Sequence, residues 1–270
     1  MSRRIRLDSE LVRRGLARSR EQAAQLIEAG RVTVRGQRAG KPATQVDTAS
    51  AIVVAESGEG PDYVSRGAHK LIGALEAFSG LSVVGRRCLD AGASTGGFTD
   101  VLLRRGAAEV LAVDVGYGQL AWSLRSDERV TVMERVNVRD LTPDVVGEPP
   151  TLVVGDLSFI SLRLVLPALI AVAAPRADFV MLVKPQFEVG KDLVGAGGVV
   201  RDPELRAGAV RAAAAKALEL GLTVRGVTAS PLPGPSGNVE YLLWLGKGEG
   251  EPPVADLETE IRRAVAEGPQ

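Results

Sequence analysis

Cys88-Leu89-Asp90-Ala91-Gly92-Ala93-Ser94-Thr95-Gly96-Gly97-Phe98, CLDAGASTGGF, is a short apolar run that ends in an acid and breaks into small residues. A buried strand is expected to end near Asp90, followed by a turn of small residues. A helix is expected to start near Gly96 and to run through Phe98, Val101 and Leu102 to Gly106. Glycine lets the backbone approach a ligand closely, and a helix N-terminus offers free N–H groups. The stretch therefore describes a nucleotide-type cofactor site at the carboxyl end of a first parallel strand.

Outward from this loop the pattern alternates. Strands are expected near 87–90, 110–114, 130–134, 151–155, 179–183, 223–229 and 239–245. Helices are expected around 67–78, 96–105, 117–125, 161–173 and 203–220. Such alternation argues for an α/β fold with a doubly wound, mostly parallel sheet. The last two strands are joined by the turn-rich SPLPGPSG, so they are expected to pair antiparallel.

The 270 residues allow one large domain and a small one. Formal net charge is zero, yet residues 1–45 carry eleven Lys/Arg against four Asp/Glu, and residues 246–270 three against six. A basic end on a neutral chain suits an anionic partner for that end. A single cysteine excludes an intramolecular disulfide and a cysteine metal cluster. The start MSRRIRLDSE has no apolar core of a secretory signal, and the longest apolar stretch, Leu164 to Pro175, is too short for a bilayer. A cytoplasmic protein is expected, with neither membrane nor metal partner and no need to oligomerise.

RLDSELVRRGLARSREQAAQLIEAGRVTVRGQ reads as two short helices and a hairpin. Asp8 or Ser9 is expected to cap the first helix, and Ser19 with Gln22 to form a capping box for the second. RVTV and AIVV read as strands, with a turn at Gly36. Arg4, Arg6, Arg18, Arg20, Arg35, Arg38 and Lys41 cluster around these elements. Residues 5 to 55 resemble the S4 RNA-binding domain, which implies binding to structured RNA through shape and phosphate contacts.

The opening loop lacks the lysine of a P-loop, and its glycines are not spaced as in a dinucleotide fingerprint. It resembles motif I of the class I, Rossmann-like S-adenosylmethionine methyltransferases. That resemblance assigns Asp90, Ala91, Gly92, Ser94, Thr95, Gly96, Gly97 and Phe98 to the cofactor. Asp114 ends the second strand, where a carboxylate can accept both ribose hydroxyls, and Asn137 and Asp140 can face the adenine side. Trp122 is a further aromatic at this border.

The fourth strand leads to GDLSFISL, with Asp156 at its carboxyl end. The prolines of an amino-group methyltransferase motif are missing. Carbon methylation of cytosine needs a cysteine nucleophile, and Cys88 lies in the first strand as a small core residue. A ribose 2′-hydroxyl is left, a weak acid that must lose its proton as it attacks, and a neutral lysine can take it. Lys70, Asp156, Lys184 and Glu240 resemble, in order and placement, the K-D-K-E tetrad of the FtsJ-related 2′-O-ribose methyltransferases. Taken singly, each also reads as a surface or strand-end charge. His69, the only histidine, lies beside Lys70 and reads as structural or RNA-contacting. Arg66, Arg135, Arg139 and Lys191 are candidates for phosphate contacts.

An S4 domain joined to such a methyltransferase is similar to the TlyA family, often labelled haemolysins. VSRGAHKLIGALEAF, DVGYGQLAWSLR, VKPQFEVG and PLPGPSGNVEYLLWL extend the match over almost the whole chain. The linker GPDYVSRG departs from the Arg-x-Trp-Val linker of some members. The resemblance implies 2′-O-methylation of cytidine in 16S and 23S ribosomal RNA of the small and large ribosomal subunits. It implies S-adenosyl-L-methionine as cofactor and a link to capreomycin and viomycin susceptibility. Domains are expected at 1–59 (RNA-binding), 60–66 (linker) and 67–250 (methyltransferase), with an acidic, partly helical tail at 251–270. A ribosome-binding or assembly factor without catalysis, and a membrane-active haemolysin, are the competing readings.

Overall fold

The computed structural model describes residues 4–17, 19–54 and 63–269. The chain divides into two compact units, Met1–Asp62 and Tyr63–Gln270. Arg18 and the first part of the expected linker lie outside the described residues.

The first unit runs β1 (Arg4–Arg6), α1 (Leu7–Arg13), α2 (Arg20–Glu28), β2 (Val32–Val34), β3 (Gln37–Arg38), β4 (Gln45–Asp47) and β5 (Ile52–Val54). β1 pairs antiparallel with β4, and β2 sits between β3 and β5. Leu7, Leu11, Ala23, Ile27, Val32 and Val46 form its core. Ser19 caps α2 as expected, its Oγ accepting the Gln22 N–H at 3.1 Å. The expected cap of α1 does not form. That helix begins at Leu7, so Asp8 falls inside its first turn. There Asp8 accepts from Arg6 at 2.7 Å and Arg20 at 3.1 Å, because a buried carboxylate is better satisfied by two guanidinium groups than by a helix end.

The second unit begins with α3 (Ala68–Ala77), β6 (Arg87–Ala91), α4 (Gly97–Arg104), β7 (Glu109–Asp114), α5 (Trp122–Arg125) and β8 (Val130–Glu134). It continues through α6 (Pro143–Val146), β9 (Leu152–Gly155), α7 (Leu162–Val172), β10 (Ala177–Val183) and α8 (Pro185–Glu188). It ends with α9 (Pro203–Glu219), β11 (Thr223–Ala229), β12 (Tyr241–Lys247) and α10 (Leu257–Glu267). The sheet order is β11-β12-β10-β9-β6-β7-β8. β12 runs antiparallel to both neighbours and the remaining pairs are parallel.

Side chains alternate across a strand, so each strand feeds two cores. Leu89, Leu111, Val153, Phe179 and Met181 join α7, α9 and α10 on one face. Cys88, Val110, Ala112, Val154 and Val180 join α3 and α4 on the other. The chain leaves β6 toward β7 and β8, then returns to β9 on the other side of β6. That reversal opens a crevice at the carboxyl ends of β6 and β9, the place where such sheets bind ligands.

One expectation is corrected in this unit. Helix 117–125 shrinks to α5, because Gly118 is left-handed at φ +70° and its N–H goes to Glu134 at 2.8 Å. The acidic C-terminal segment is helical in part, over α10. Asp256 caps α10, Ile261 and Ala264 are buried, and Arg263 donates to the Val227 carbonyl of β11 at 3.0 Å. Among the described residues no helix is long and apolar enough to cross a membrane.

Candidate active site

The loop after β6 is held from both sides. The N–H groups of Gly92 and Ala93 donate to the Val113 carbonyl of β7 at 2.8 and 3.1 Å. Gly92 is left-handed at φ +84°, and a Cβ there would lie 2.7 Å from the Asp156 carbonyl oxygen. Only glycine lets the two strand ends come this close. Ser94 takes φ +50°, a conformation uncommon for a side-chain-bearing residue, and its N–H donates to Asp114 at 2.8 Å. Gly96 precedes α4 at φ +99°, where a Cβ would overlap Leu124. Thr95 accepts the Ala121 N–H at 3.2 Å, which joins the loop to α5.

Three carboxylates gather at these strand ends. Asp90 is fully buried, with one oxygen on the Thr99 hydroxyl at 2.7 Å and the other without a partner. Burial pushes its carboxyl up to about 7, and the negative charges of Asp156 and Asp114 add to the rise. Asp114 accepts the N–H groups of Ser94 and Gly116, one on each oxygen, at 2.8 and 2.7 Å. Each oxygen keeps a further lone pair. Val136 donates to the Asp114 carbonyl at 3.0 Å, which brings the segment after β8 beside this acid. There Asn137 accepts the Arg139 N–H at 3.0 Å, and Asp140 is exposed.

The four tetrad candidates come together from four separate elements. Lys70 in the first turn of α3 donates to Glu240 Oε2 at 2.5 Å, and its Nζ is 3.7 Å from Asp156 Oδ2. Lys184, between β10 and α8, lies 2.5 Å from Asp156 Oδ1 and donates to Ser158 Oγ at 2.9 Å. The result is a continuous chain, Glu240–Lys70–Asp156–Lys184–Ser158, with two lysines alternating with two carboxylates. Lys70, Lys184 and Glu240 are buried. Gly234 presses on Glu240, since a Cβ there would lie 2.5 Å from Oε1.

Other candidates stand differently. The Phe98 side chain is buried among Val101, Leu102 and Leu71, so it belongs to the core and only its backbone is left for a ligand. Trp122 is 77% exposed. His69 is exposed and meets the Tyr63 ring edge-on at 5.9 Å, away from the Lys70 contacts. Arg66, Arg135, Arg139 and Lys191 are exposed, and Arg135 lies over the Tyr117 ring at 4.3 Å. In the first unit Arg4, Arg6, Arg20 and Lys41 are exposed, Arg6 and Arg20 being tied to Asp8, and Arg35 donates to Ser50 at 3.1 Å. Cys88 is buried and its thiol is pushed up to about 12 by burial, which leaves it inert. Among the described residues no group of His, Cys, Asp or Glu is placed to hold a metal.

Sequence reasoning missed Ser158 and Phe159. Both stand in GDLSFISL, beside the Asp156 that was singled out. Phe159 is 91% exposed at φ +63°, its ring 5.3 Å from that of Phe187.

The FtsJ-like methyltransferase family model matches residues 63–247, and the S4 domain model matches residues 5–52. The fold and the site at its carboxyl edge are thus those of a methyltransferase joined to an S4 domain. The chain is 63% identical over 270 residues to the 16S/23S rRNA (cytidine-2'-O)-methyltransferase TlyA of Mycobacterium tuberculosis, covering all of both chains. It is 39% identical to Hemolysin A of Brachyspira hyodysenteriae, over 88% of this chain and 98% of that one. A solved structure from Streptococcus thermophilus, named as a hemolysin, matches with a TM-score of 0.76 at 40% identity, covering 98% of this chain and 96% of that chain. The chain belongs to the TlyA family of FtsJ-like methyltransferases.

Proposed function

We propose that this protein methylates the 2′-hydroxyl of cytidine in 16S and 23S ribosomal RNA, with S-adenosyl-L-methionine as methyl donor. The observation that carries the reading is Lys184, held at 2.5 Å from Asp156 and 2.9 Å from Ser158 at the sheet's carboxyl edge. A neutral lysine has two N–H groups and one lone pair. With Asp156 and Ser158 taking the two N–H groups, the lone pair is left for an incoming hydroxyl.

The cofactor fits the residues present. Asp90, Asp114 and Asp156 make the crevice acidic, and Asp90 keeps a buried oxygen unpartnered, so a cationic ligand relieves the site. Asp90, Ala91, Gly92 and Ser94 to Phe98 would hold it, with Asp114 on the ribose and Asn137 and Asp140 on the adenine side. Bound there, S-adenosylmethionine supplies an electrophilic methyl group on a sulfonium. Lys184 then takes the 2′-hydroxyl proton as the oxygen attacks, and the new ammonium forms beside the Asp156 carboxylate. Lys70, braced by Glu240, holds the second oxygen of Asp156 and keeps that carboxylate aimed. Arg4, Arg6, Arg20 and Lys41 on the S4 domain, and Arg66, Arg135, Arg139 and Lys191 on the methyltransferase domain, would contact phosphates. Phe159 offers an exposed aromatic face for a base.

The test is methyl transfer from labelled S-adenosylmethionine to unmodified small and large ribosomal subunits, separately, with Lys184→Ala alongside. Label in an alkali-resistant dinucleotide from wild type, lost in the variant, is the expected result. No label on either subunit, with cofactor binding intact, overturns the reading in favour of a binding factor.

A further inference from the structure

The loop after β9 and the loop after β10 meet twice. The first meeting is Lys184 with Asp156 and Ser158. The second lies one turn further on, at Glu188, whose side chain is 1% exposed. Glu188 Oε2 accepts the Ser161 hydroxyl at 2.6 Å and Oε1 accepts the Leu162 N–H at 2.7 Å. Arg163 Nε adds a contact to Oε2 at 3.3 Å and its terminal nitrogen donates to the Glu188 carbonyl at 3.2 Å. Ser161 and Leu162 open α7, where a carboxylate is favoured by the helix dipole and by free N–H groups.

The two meetings are mechanically linked. Between Lys184 and Glu188 the chain is a single turn, started by Pro185 and closed by Phe187 N–H to the Lys184 carbonyl at 2.9 Å and Val189 N–H to the Pro185 carbonyl at 3.1 Å. Between Asp156 and Ser161 lies the short segment that carries Ser158. Both oxygens of Glu188 are spent on α7, so it does not reach the reacting atoms. We propose that Glu188 is a positioning residue for methyl transfer, clamping the Lys184 turn to the Asp156–Ser161 segment and so fixing the lysine against its carboxylate. The proposal rests on reading Lys184 as the proton acceptor. Displacing a catalytic group by about 1 Å can cost on the order of 100-fold in rate.

The experiment is steady-state methyl transfer by the full-length protein on unmodified ribosomal subunits, followed across pH, for wild type, Glu188→Gln, Ser161→Ala and Lys184→Ala. Glu188→Gln keeps the shape and one acceptor but loses the charge. Its kcat is expected to fall about 10- to 100-fold, with KM for RNA and cofactor within about twofold of wild type. Its kcat–pH profile is expected to be displaced from that of wild type, because the contact between Lys184 and Asp156 is loosened. Ser161→Ala removes one of the bonds to Glu188 without altering the charge, and a smaller fall with the same displacement is expected. It decides the matter should Glu188→Gln not fold. Both variants at wild-type kcat and pH profile, with melting temperature alone reduced, overturn the proposal while an inactive Lys184→Ala leaves the lysine reading in place. Transfer surviving in Lys184→Ala overturns both.

Discussion

Lys70 and Glu240, 170 positions apart, share a buried contact of 2.5 Å between Nζ and Oε2. Removing one partner leaves the other charge buried and alone, which costs about 3–5 kcal/mol. Lys70→Met is therefore expected to destabilise the methyltransferase domain by that order, measured by denaturant unfolding. Glu240→Gln in the Lys70→Met background is expected to recover part of the loss, and a double-mutant cycle reads the coupling. Additive losses would show that the two side chains do not act as a pair.

Asp90 is expected to make the proposed cofactor site sensitive to pH. Burial raises its folded carboxyl to about 7, above the unfolded value. The neutral acid thus favours folding, and its contribution is full below about pH 4 and lost as pH climbs to about 7. Asp90→Asn is expected to abolish that loss, so stability of the variant falls less than wild type over this window. A cationic ligand favours the ionised form, so its binding expels the proton. Cofactor affinity of wild type is expected to rise with pH up to about 7. Calorimetric titration in buffers of different ionisation enthalpy should find proton release near pH 6 in wild type and less in Asp90→Asn; equal release would remove Asp90 from the linkage.

Some site residues were legible because their place follows from one element, whereas Lys70 and Glu240 were reached only through the resemblance to the K-D-K-E tetrad. Asp90, Asp114 and Asp156 each close or follow a parallel strand, and Lys184 precedes a proline that ends one, so alternation alone puts them on one edge. Glu188 and Ser158 were not legible, since their value lies in contacts between two loops that no periodicity encodes. Phe98 was drawn to the cofactor by its neighbours, although its spacing with Val101 and Leu102 is that of a buried helix face. The shortness of α5 turned on one glycine whose N–H is claimed by Glu134, a contact from another strand.

The basic residues of the S4 domain divide by whether they also hold the fold. Arg6 and Arg20 share Asp8, whereas neither Arg4 nor Lys41 is tied to an acid among the described residues. Arg4→Ala and Lys41→Ala are expected to weaken ribosomal RNA binding and to lower the slope of log affinity against log salt by about one each, with unchanged melting temperature. Arg6→Ala is expected to lower affinity and melting temperature together, because it strips Asp8 of a partner. Filter binding at several salt concentrations, with thermal melts, separates the two classes. An unchanged salt slope for Lys41→Ala would take it out of the interface.

Gly92 and Gly85 offer an internal control on the proposed cofactor loop. Both are left-handed, at φ +84° and +70°, and alanine at either place is strained by about 1 kcal/mol or more. They differ in what a methyl group meets. At Gly85, before the amino end of β6, it enters open space, while at Gly92 it would lie 2.7 Å from the Asp156 carbonyl oxygen. That oxygen cannot yield without moving the segment that carries Asp156 and Ser158, and with it the partners of Lys184. Gly85→Ala is expected to lower the melting temperature and leave methyl transfer per folded molecule unchanged. Gly92→Ala is expected to weaken cofactor binding and to cut kcat at least tenfold, even with saturating cofactor. Equal kcat in the two variants would mean that the contact between Gly92 and Asp156 does not set the geometry of the reaction.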